Sequence, residues 1–304
     1  MRHTKTHLLQ LQSLPLLDKV ELTKRRIRAW YEHFDGLVYV SFSGGKDSTV
    51  LKHIVDSMYD DVPSVYVNTG LEYPEVRRFA LKQKNVIRVD PKLKFHHVVE
   101  KYGYPVISKT QAQYISEARR TKSDKLRRKR LYGDERGLGK IAEKWKPLIE
   151  APFLISDRCC HKLKKDPVKR YEKETGRHPM VGNMTVESSL REERWFMHGC
   201  NAFALNRPIS TPIAFWTEQD ILAYIFENKL EIPSVYGEVL KKGGEYINTG
   251  LDRTGCMFCM FGVHLEKAPN RFQQMKKTHP KQHEYCINNL GVGKVLDYIG
   301  IKYE

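Results

Sequence analysis

The segment from Val38 to Met58, VYVSFSGGKDSTVLKHIVDSM, restricts the fold more than any other part of the chain. Leu37 to Phe42 is rich in β-branched and aromatic residues and reads as a buried strand, while Val50, Leu51, Ile54, Val55 and Met58 return at helical spacing. Ser41 closes the strand, and Ser43-Gly44-Gly45-Lys46 makes a tight turn into the helix. Strand, glycine turn and helix together form a cradle for phosphate. Gly44 and Gly45 are expected to adopt positive φ and let the backbone approach an anion, and the N–H groups of a helix starting near Asp47 point at it. Lys46 adds a full positive charge, and the hydroxyls of Ser43, Ser48 and Thr49 are available as donors. Asp47 either caps the helix or helps to hold Mg²⁺. The plain alternative is an ordinary strand-to-helix connection capped by Asp47.

Around this unit the pattern alternates. Leu17 to Phe34 is spaced for an amphipathic helix, Ser64 to Asn68 and Val86 to Val89 read as strands, and helical stretches join them. Strands alternating with helices predict a parallel sheet, with the ligand at the carboxyl ends of its strands. Asn68-Thr69-Gly70, followed by Glu72, lies at such an end, where Asn68 and Glu72 would contact ribose, metal or water. A plain turn with Pro74 opening a helix is the other reading. Further on, Met180 to Met184 reads as a strand and leads into a helix capped by Thr185 or Ser188. Thr217 caps another helix that turns Ile221, Leu222 and Ile225 inward, and Gly237 to Gly250 reads as a loop.

Length and charge set outer bounds. The 304 residues suffice for one large α/β domain with an appendage or for two modest domains, and no run of about 18 apolar residues suggests a membrane span. With no leader pattern evident at the N-terminus, a cytoplasmic location is expected. In a reducing compartment the six cysteines are better read as metal ligands or reactive thiols than as disulfides. The net charge of +16 suggests a polyanionic partner, and eight of the twelve residues from Arg119 to Arg130 are Lys or Arg. Such a run is either a solvated face or a contact for a phosphate backbone.

SGGKDS, Ser43 to Ser48, resembles the pyrophosphate loop of the N-type ATP pyrophosphatases, the superfamily that includes the adenylyl-sulfate and phosphoadenylyl-sulfate reductases. NTGLEYPE is similar to that family's (D/N)TG-x-x-(F/Y)PE element, which implies that Asn68, Thr69, Gly70 and Glu72 line a nucleotide pocket. GNMTVESSLR is similar to its G-x-x-x-x-(E/Q)S-x-x-R segment and gives Gly182, Glu187, Ser188 and Arg191 as matching positions. Arg191 would meet the phosphate or sulfate end of the ligand; its plain reading is an i,i+4 partner of Glu187. Cys159-Cys160 with Cys256-x-x-Cys259 resembles the 4Fe-4S ligation of the adenylyl-sulfate reductases, with zinc as the alternative metal. Phe258 and Phe261 would shield the site. The resemblance implies a doubly wound, mostly parallel α/β domain of the adenine nucleotide α-hydrolase type over residues 1–235, with a basic insertion at about 108–150. A small cluster-bearing extension over 236–304 completes it.

Two departures shape the expected function. No cysteine stands between Cys286 and Glu304, so no use of an E-C-G-x-(H/L) tail thiol like that of the assimilatory reductases is expected, while the loop retains its full ATP form. The expectation is therefore an ATP pyrophosphatase that uses Mg²⁺, Lys46, Asp47 and Arg191 to form an adenylate that activates an acceptor for sulfur insertion. The nearest in character are the adenylating subunits of DNA phosphorothioation systems, with DNA favoured over tRNA as acceptor. A cysteine desulfurase and further subunits are the implied partners. The alternative is a sulfonucleotide reductase that uses Cys200 or Cys286 in place of the tail thiol.

Overall fold

The computed structural model describes residues 3–304. The first strand, Val38–Ser41, forms where expected, and Val38, Tyr39 and Val40 are wholly buried. A strand apolar on both sides must be covered on both faces, which is the environment of a parallel sheet. It lies inside a six-stranded sheet ordered Val86–Val89, Ser64–Val67, Val38–Ser41, His178–Val181, Ile209–Ser210, Asn201–Ala202. All neighbours pair in parallel except the last two, which are antiparallel. Strand order runs outward from the first strand on one side and resumes with His178–Val181 on its other side, where Val38 pairs with His178 and Ser41 with Val181. The order reverses between these two strands. In a doubly wound sheet that crevice is where a ligand binds.

The chain packs into two units. The first comprises the residues up to Asn68, Tyr73–Asp90 and Val168–Thr254. One face of its sheet is covered by the helices Leu16–His33, Lys46–Asp56 and Glu218–Glu227, whose Trp30, Ile54 and Ile221 join Val38, Val40 and Trp216 in the main core. Each large aliphatic side chain fully buried there contributes about 1.5–3 kcal/mol. The opposite face carries a smaller cluster of Tyr39, Val65 and Tyr171, the last from the helix Asp166–Thr175. Thr217 caps the helix Glu218–Glu227 as the sequence suggested, and Asp220 accepts the Thr217 N–H at 2.7 Å in return. Asp220 also pairs with the buried Lys19 at 2.7 Å, which fixes this helix to Leu16–His33.

The second unit comprises Thr69–Glu72, Pro91–Pro167 and Gly255–Glu304. It is largely helical, around a short parallel pair in which Met260 meets Val106 and Phe261 meets Ile107. Gly103 shows why its backbone is built as it is. With φ at +107°, a Cβ there would stand 2.3 Å from the Leu154 carbonyl carbon, and only glycine lets Tyr104 N–H reach the Leu154 carbonyl at 2.8 Å. A single cut near residue 235 does not describe this packing, because the CxxC segment packs with residues 91–167 whereas 236–254 belongs to the first unit. The expected loop at Gly237 to Gly250 is mostly an antiparallel hairpin, Val239–Lys242 with Glu245–Asn248, turning at two positive-φ glycines, Gly243 and Gly244. The stretch after Ser108, where apolar periodicity fades, forms the helices Lys109–Arg120 and Asp124–Tyr132, each capped by a serine hydroxyl.

Candidate phosphate loop and cysteine site

The turn after the first strand needs its two glycines for different reasons. Gly44 has φ +74°, and a Cβ on it would press on Val76 and Ala80 at 3.0 and 3.1 Å. Gly45 has an ordinary extended backbone at φ −80°, contrary to the expectation of positive φ, and serves as N-cap of the helix Lys46–Asp56. Space is what requires it to be small: a Cβ would lie 3.1 Å from Tyr236 Oη and 3.3 Å from Ser43 Oγ. Asp47 is therefore not the cap and sits within the first turn. The hydroxyls hold the loop in shape, since Ser48 Oγ and Thr49 Oγ1 both donate to the Gly45 carbonyl at 2.9 Å and Ser43 Oγ lies 3.0 Å from Ser48 Oγ. What remains to face an anion is the set of amides at the helix start, which have no intrahelical acceptors.

Lys46 is buried, with 2% of its surface exposed, although it directly follows the glycine turn. It forms an ion pair with Glu218 and donates to the Asp252 carbonyl at 2.8 Å. Burial pushes the Asp47 carboxyl up to about 6, against the opposing charge of Lys46 and with help from Glu218. Its Oδ1 is out of solvent with no hydrogen-bond partner among the described residues. Arg191 forms the i,i+4 ion pair with Glu187 and also lies within electrostatic range of Asp47 and Arg253. Glu187 in turn accepts the Met184 N–H at 2.8 Å, and Ser188, not Thr185, caps the helix Ser189–His198. Gly182 follows the strand His178–Val181, and a Cβ there would stand 3.1 Å from the Asp47 carbonyl oxygen and 3.2 Å from Ser48 Cα.

Ser43 to Ser48, Gly182 and Arg191 are thus gathered at the reversal of strand order. Ser41 ends the first strand, in register with Val65 and Val181. Asn68 is committed to neighbours, donating to Asp90 at 2.7 Å and accepting from Arg77 at 3.0 Å. Sequence reasoning misses Glu218, Tyr236, Asp252, Arg253 and Thr254. Tyr236 Oη and Thr254 Oγ1 lie 2.5 Å apart and close over Gly45. Arg253 and Thr254 directly precede the CxxC segment and read in sequence only as its lead-in, while Glu218 looks like any acidic residue in a first helical turn.

In the second unit, Thr69 Oγ1 donates to Glu72 at 2.5 Å and accepts from the Leu71 N–H, so this turn is held by its own side chains around Gly70, whose φ is +75°. The Leu71 carbonyl receives the Met257 N–H at 2.8 Å, which sets the turn against the CxxC segment. Cys159 and Cys160 end the short helix Arg158–Cys160, and a π-helical turn, His161–Lys165, follows. Such turns recur at functional sites. Cys256 and Cys259 form a tight turn in which the Cys259 N–H reaches the Cys256 carbonyl at 3.1 Å.

The four thiols share one neighbourhood. Burial raises Cys159 most, and the charges of Cys256, Cys160 and Cys259 add to it. Burial likewise pushes Cys259 up to about 11, with Cys256 reinforcing it. Cys256 holds the Lys164 ammonium above its usual range, with Glu72 contributing, and Glu72 Oε2 lacks a hydrogen-bond partner among the described residues. Among the described residues no three His, Cys, Asp or Glu side chains are gathered tightly enough to hold a metal ion. Phe258 is buried beside them whereas Phe261 is half-buried. Cys200 and Cys286 are both buried and raised by burial, and Cys200 accepts from Trp195 Nε1 at 3.3 Å.

The basic run divides by partner. Arg119 donates to the Phe153 carbonyl at 2.7 Å and Arg120 to the Tyr102 carbonyl at 3.0 Å. Arg130 pairs with Glu117 at 2.5 Å and Lys129 with Asp134 at 3.0 Å. Lys122, Lys125, Arg127 and Arg128 make no side-chain hydrogen bond or ion pair among the described residues and face solvent along the helix Asp124–Tyr132 and the turn before it. No helix among the described residues is long and apolar enough to cross a membrane.

The chain is 24% identical over 276 residues to the uncharacterized protein MJ0973 of Methanocaldococcus jannaschii, covering 87% of this chain and 52% of that protein. It is 25% identical over 277 residues to the uncharacterized protein MJ0066 of the same organism, covering 88% of this chain and 46% of that one. The chain therefore spans about half the length of these relatives. Among solved structures, the phosphoadenylyl-sulfate (PAPS) reductase from Candida auris in its phosphate complex aligns at TM-score 0.40 and 15% identity, over 77% of this chain and 91% of that one. The profile of the phosphoadenosine phosphosulfate reductase domain matches residues 37–131 and 133–260, most of the chain, and the protein belongs to that family.

Proposed function

We propose that the protein cleaves ATP between its α- and β-phosphates and forms an adenylate on an acceptor that then receives sulfur. The observation that carries this reading is the phosphate loop at the reversal of strand order, with Lys46, Asp47, Gly182 and Arg191 brought to it. Lys46 and Arg191 would neutralise the leaving pyrophosphate while the helix amides hold it, so that catalysis is mainly positioning and charge. Asp47, a buried carboxylate with an unpaired oxygen, is the group suited to hold the Mg²⁺ that accompanies ATP.

Cys159, Cys160, Cys256 and Cys259 are the proposed ligands of an iron–sulfur cluster, supported by their shared neighbourhood and by the positive charge of Lys164 beside them. Soft thiolates favour such a group, which when bound would handle sulfur or electrons. The acceptor proposed is nucleic acid, DNA before tRNA, held by Lys122, Lys125, Arg127 and Arg128, with a cysteine desulfurase and other subunits as sulfur-supplying partners. The family's own description favours a second reading, reduction of a sulfonucleotide. That chemistry needs an accessible, low-pKa thiol, and the burial of Cys200 and Cys286 suits neither for it.

Pyrophosphate release from ATP tests the first reading. Lys46→Ala alone would leave Glu218 without its partner, so the test adds Glu218→Gln. The double variant should fold and lose at least a hundredfold in pyrophosphate release. Undiminished release would remove the loop from the mechanism, and sulfite release from adenylyl sulfate without any ATP cleavage would establish the second reading.

A further inference from the structure

A cavity of about 270 Å³ lies in the first unit, under the helix Ser189–His198 and against the edge of the sheet. It contains none of the residues Ser43 to Ser48. The helix contributes Leu190, Arg191, Arg194, Trp195 and His198, which share one stripe at helical spacing. Met184, Ile209 and Ala214 make an apolar floor, and Asn183, Thr185 and Thr211 add polar groups. No Asp or Glu lines it. The cationic wall is open to a ligand: Arg194 and His198 are exposed and make no side-chain hydrogen bond or ion pair among the described residues. Behind Cys200, another wall residue, Arg26 stacks on Phe215 at 4.2 Å with one guanidinium nitrogen out of solvent and without a hydrogen-bond partner among the described residues.

A small apolar floor, hydroxyls and an amide beside it, and the unpaired Arg194 with His198 at the exposed side suit a ligand with a flat ring at one end and an anion at the other. At about 30 Å³ per water, the volume corresponds to roughly nine waters, the size of a single base or sugar with its phosphate left at the mouth. We infer that this cavity is a second nucleotide site, taking the ring of one phosphorylated nucleoside and holding its phosphate on Arg194 and His198, with Arg191 between it and the phosphate loop. The phosphorylated nucleoside is either free or part of a strand. The inference does not depend on ATP cleavage, because the loop is not part of the cavity.

Adenosine monophosphate is the probe, titrated into the Lys46→Ala, Glu218→Gln double variant so that the loop site is impaired, with the Met184 methyl and Trp195 indole signals followed by NMR. Both should shift and saturate, and adding Arg194→Glu should weaken binding at least tenfold. Arg194 is exposed, so that variant should fold; Ala202→Leu, which fills the cavity from the edge strand, should block binding if it folds as well. A 5′-phosphorylated oligothymidylate that displaces the mononucleotide with higher affinity assigns the site to a strand, and weaker displacement assigns it to a free nucleotide. No shift at Met184 and Trp195, or a shift indifferent to Arg194→Glu, overturns the site. Pyrophosphate release is scored on the loop alone, so its failure would leave this result standing.

Discussion

Asp47→Asn should make the protein more stable at neutral pH, although it removes a charged residue from the centre of the proposed catalytic site. The carboxyl moves from an ordinary 3.8 to about 6 on folding, with burial as the main cause. A carboxyl raised by folding holds its proton more tightly in the native state, so its ionisation opposes folding. Its unfavourable effect is absent below about pH 3.8, grows as pH rises from there to about 6, and is constant above that. The full effect is about 3 kcal/mol, roughly a hundredfold in an opening equilibrium. Asparagine does not titrate and avoids it, while giving up a favourable carboxylate in the first helical turn worth about 0.3–1 kcal/mol. Hydrogen exchange of the Val50 to Val55 amides, which follow Asp47 in the same helix, is the assay. Wild type and variant are compared at each pH so that intrinsic exchange chemistry cancels. The variant should exchange like wild type near pH 4 and ten- to a hundredfold more slowly at pH 7. A ratio that stays constant from pH 4 to 7, or faster exchange in the variant at pH 7, would refute the reasoning. Pyrophosphate release should be lost regardless.

Reversing Lys125, Arg127 and Arg128 to Glu should weaken nucleic-acid binding alike for all sequences and flatten its salt dependence by about 0.9 for each phosphate no longer neutralised, while ATP affinity is unchanged; equal binding in the variant would sink the acceptor reading. Arg130→Glu should instead loosen the fold locally, because Arg130 joins Glu117 and the Gly139 carbonyl, and proteolysis between the two helices of that region would detect it. Gly103→Ala combines a left-sided φ with a Cβ 2.3 Å from backbone and should destabilise the second unit by on the order of 3 kcal/mol or more, measured by denaturant unfolding. Prepared without oxygen, the protein should be brown, and Cys159→Ser or Cys256→Ser should bleach it and lower its iron content; a colourless chain with one bound zinc would end the cluster reading.

Local pattern determined a good deal of this protein. The apolar run to Phe42, the Ser-Gly-Gly-Lys turn and the helical spacing after it specify strand, loop and helix, because these depend on backbone geometry and on periodicity within a few residues. Val86–Val89 and the Thr217 cap follow from the same short-range rules. Gly182 and Arg191 stand out through motif, although Gly182's reason, the close approach of Asp47, is a contact between segments far apart in sequence. Tertiary structure alone decided the rest. It buried Lys46 against Glu218 and the Asp252 carbonyl, bent 236–254 back over the loop, and divided the basic run into structural arginines and solvent-facing cations. It also placed Cys159 and Cys160 near Cys256 and Cys259. Charge, burial and proximity are properties of neighbours in space, and a neighbour two hundred residues away leaves no periodic trace in the segment it will touch.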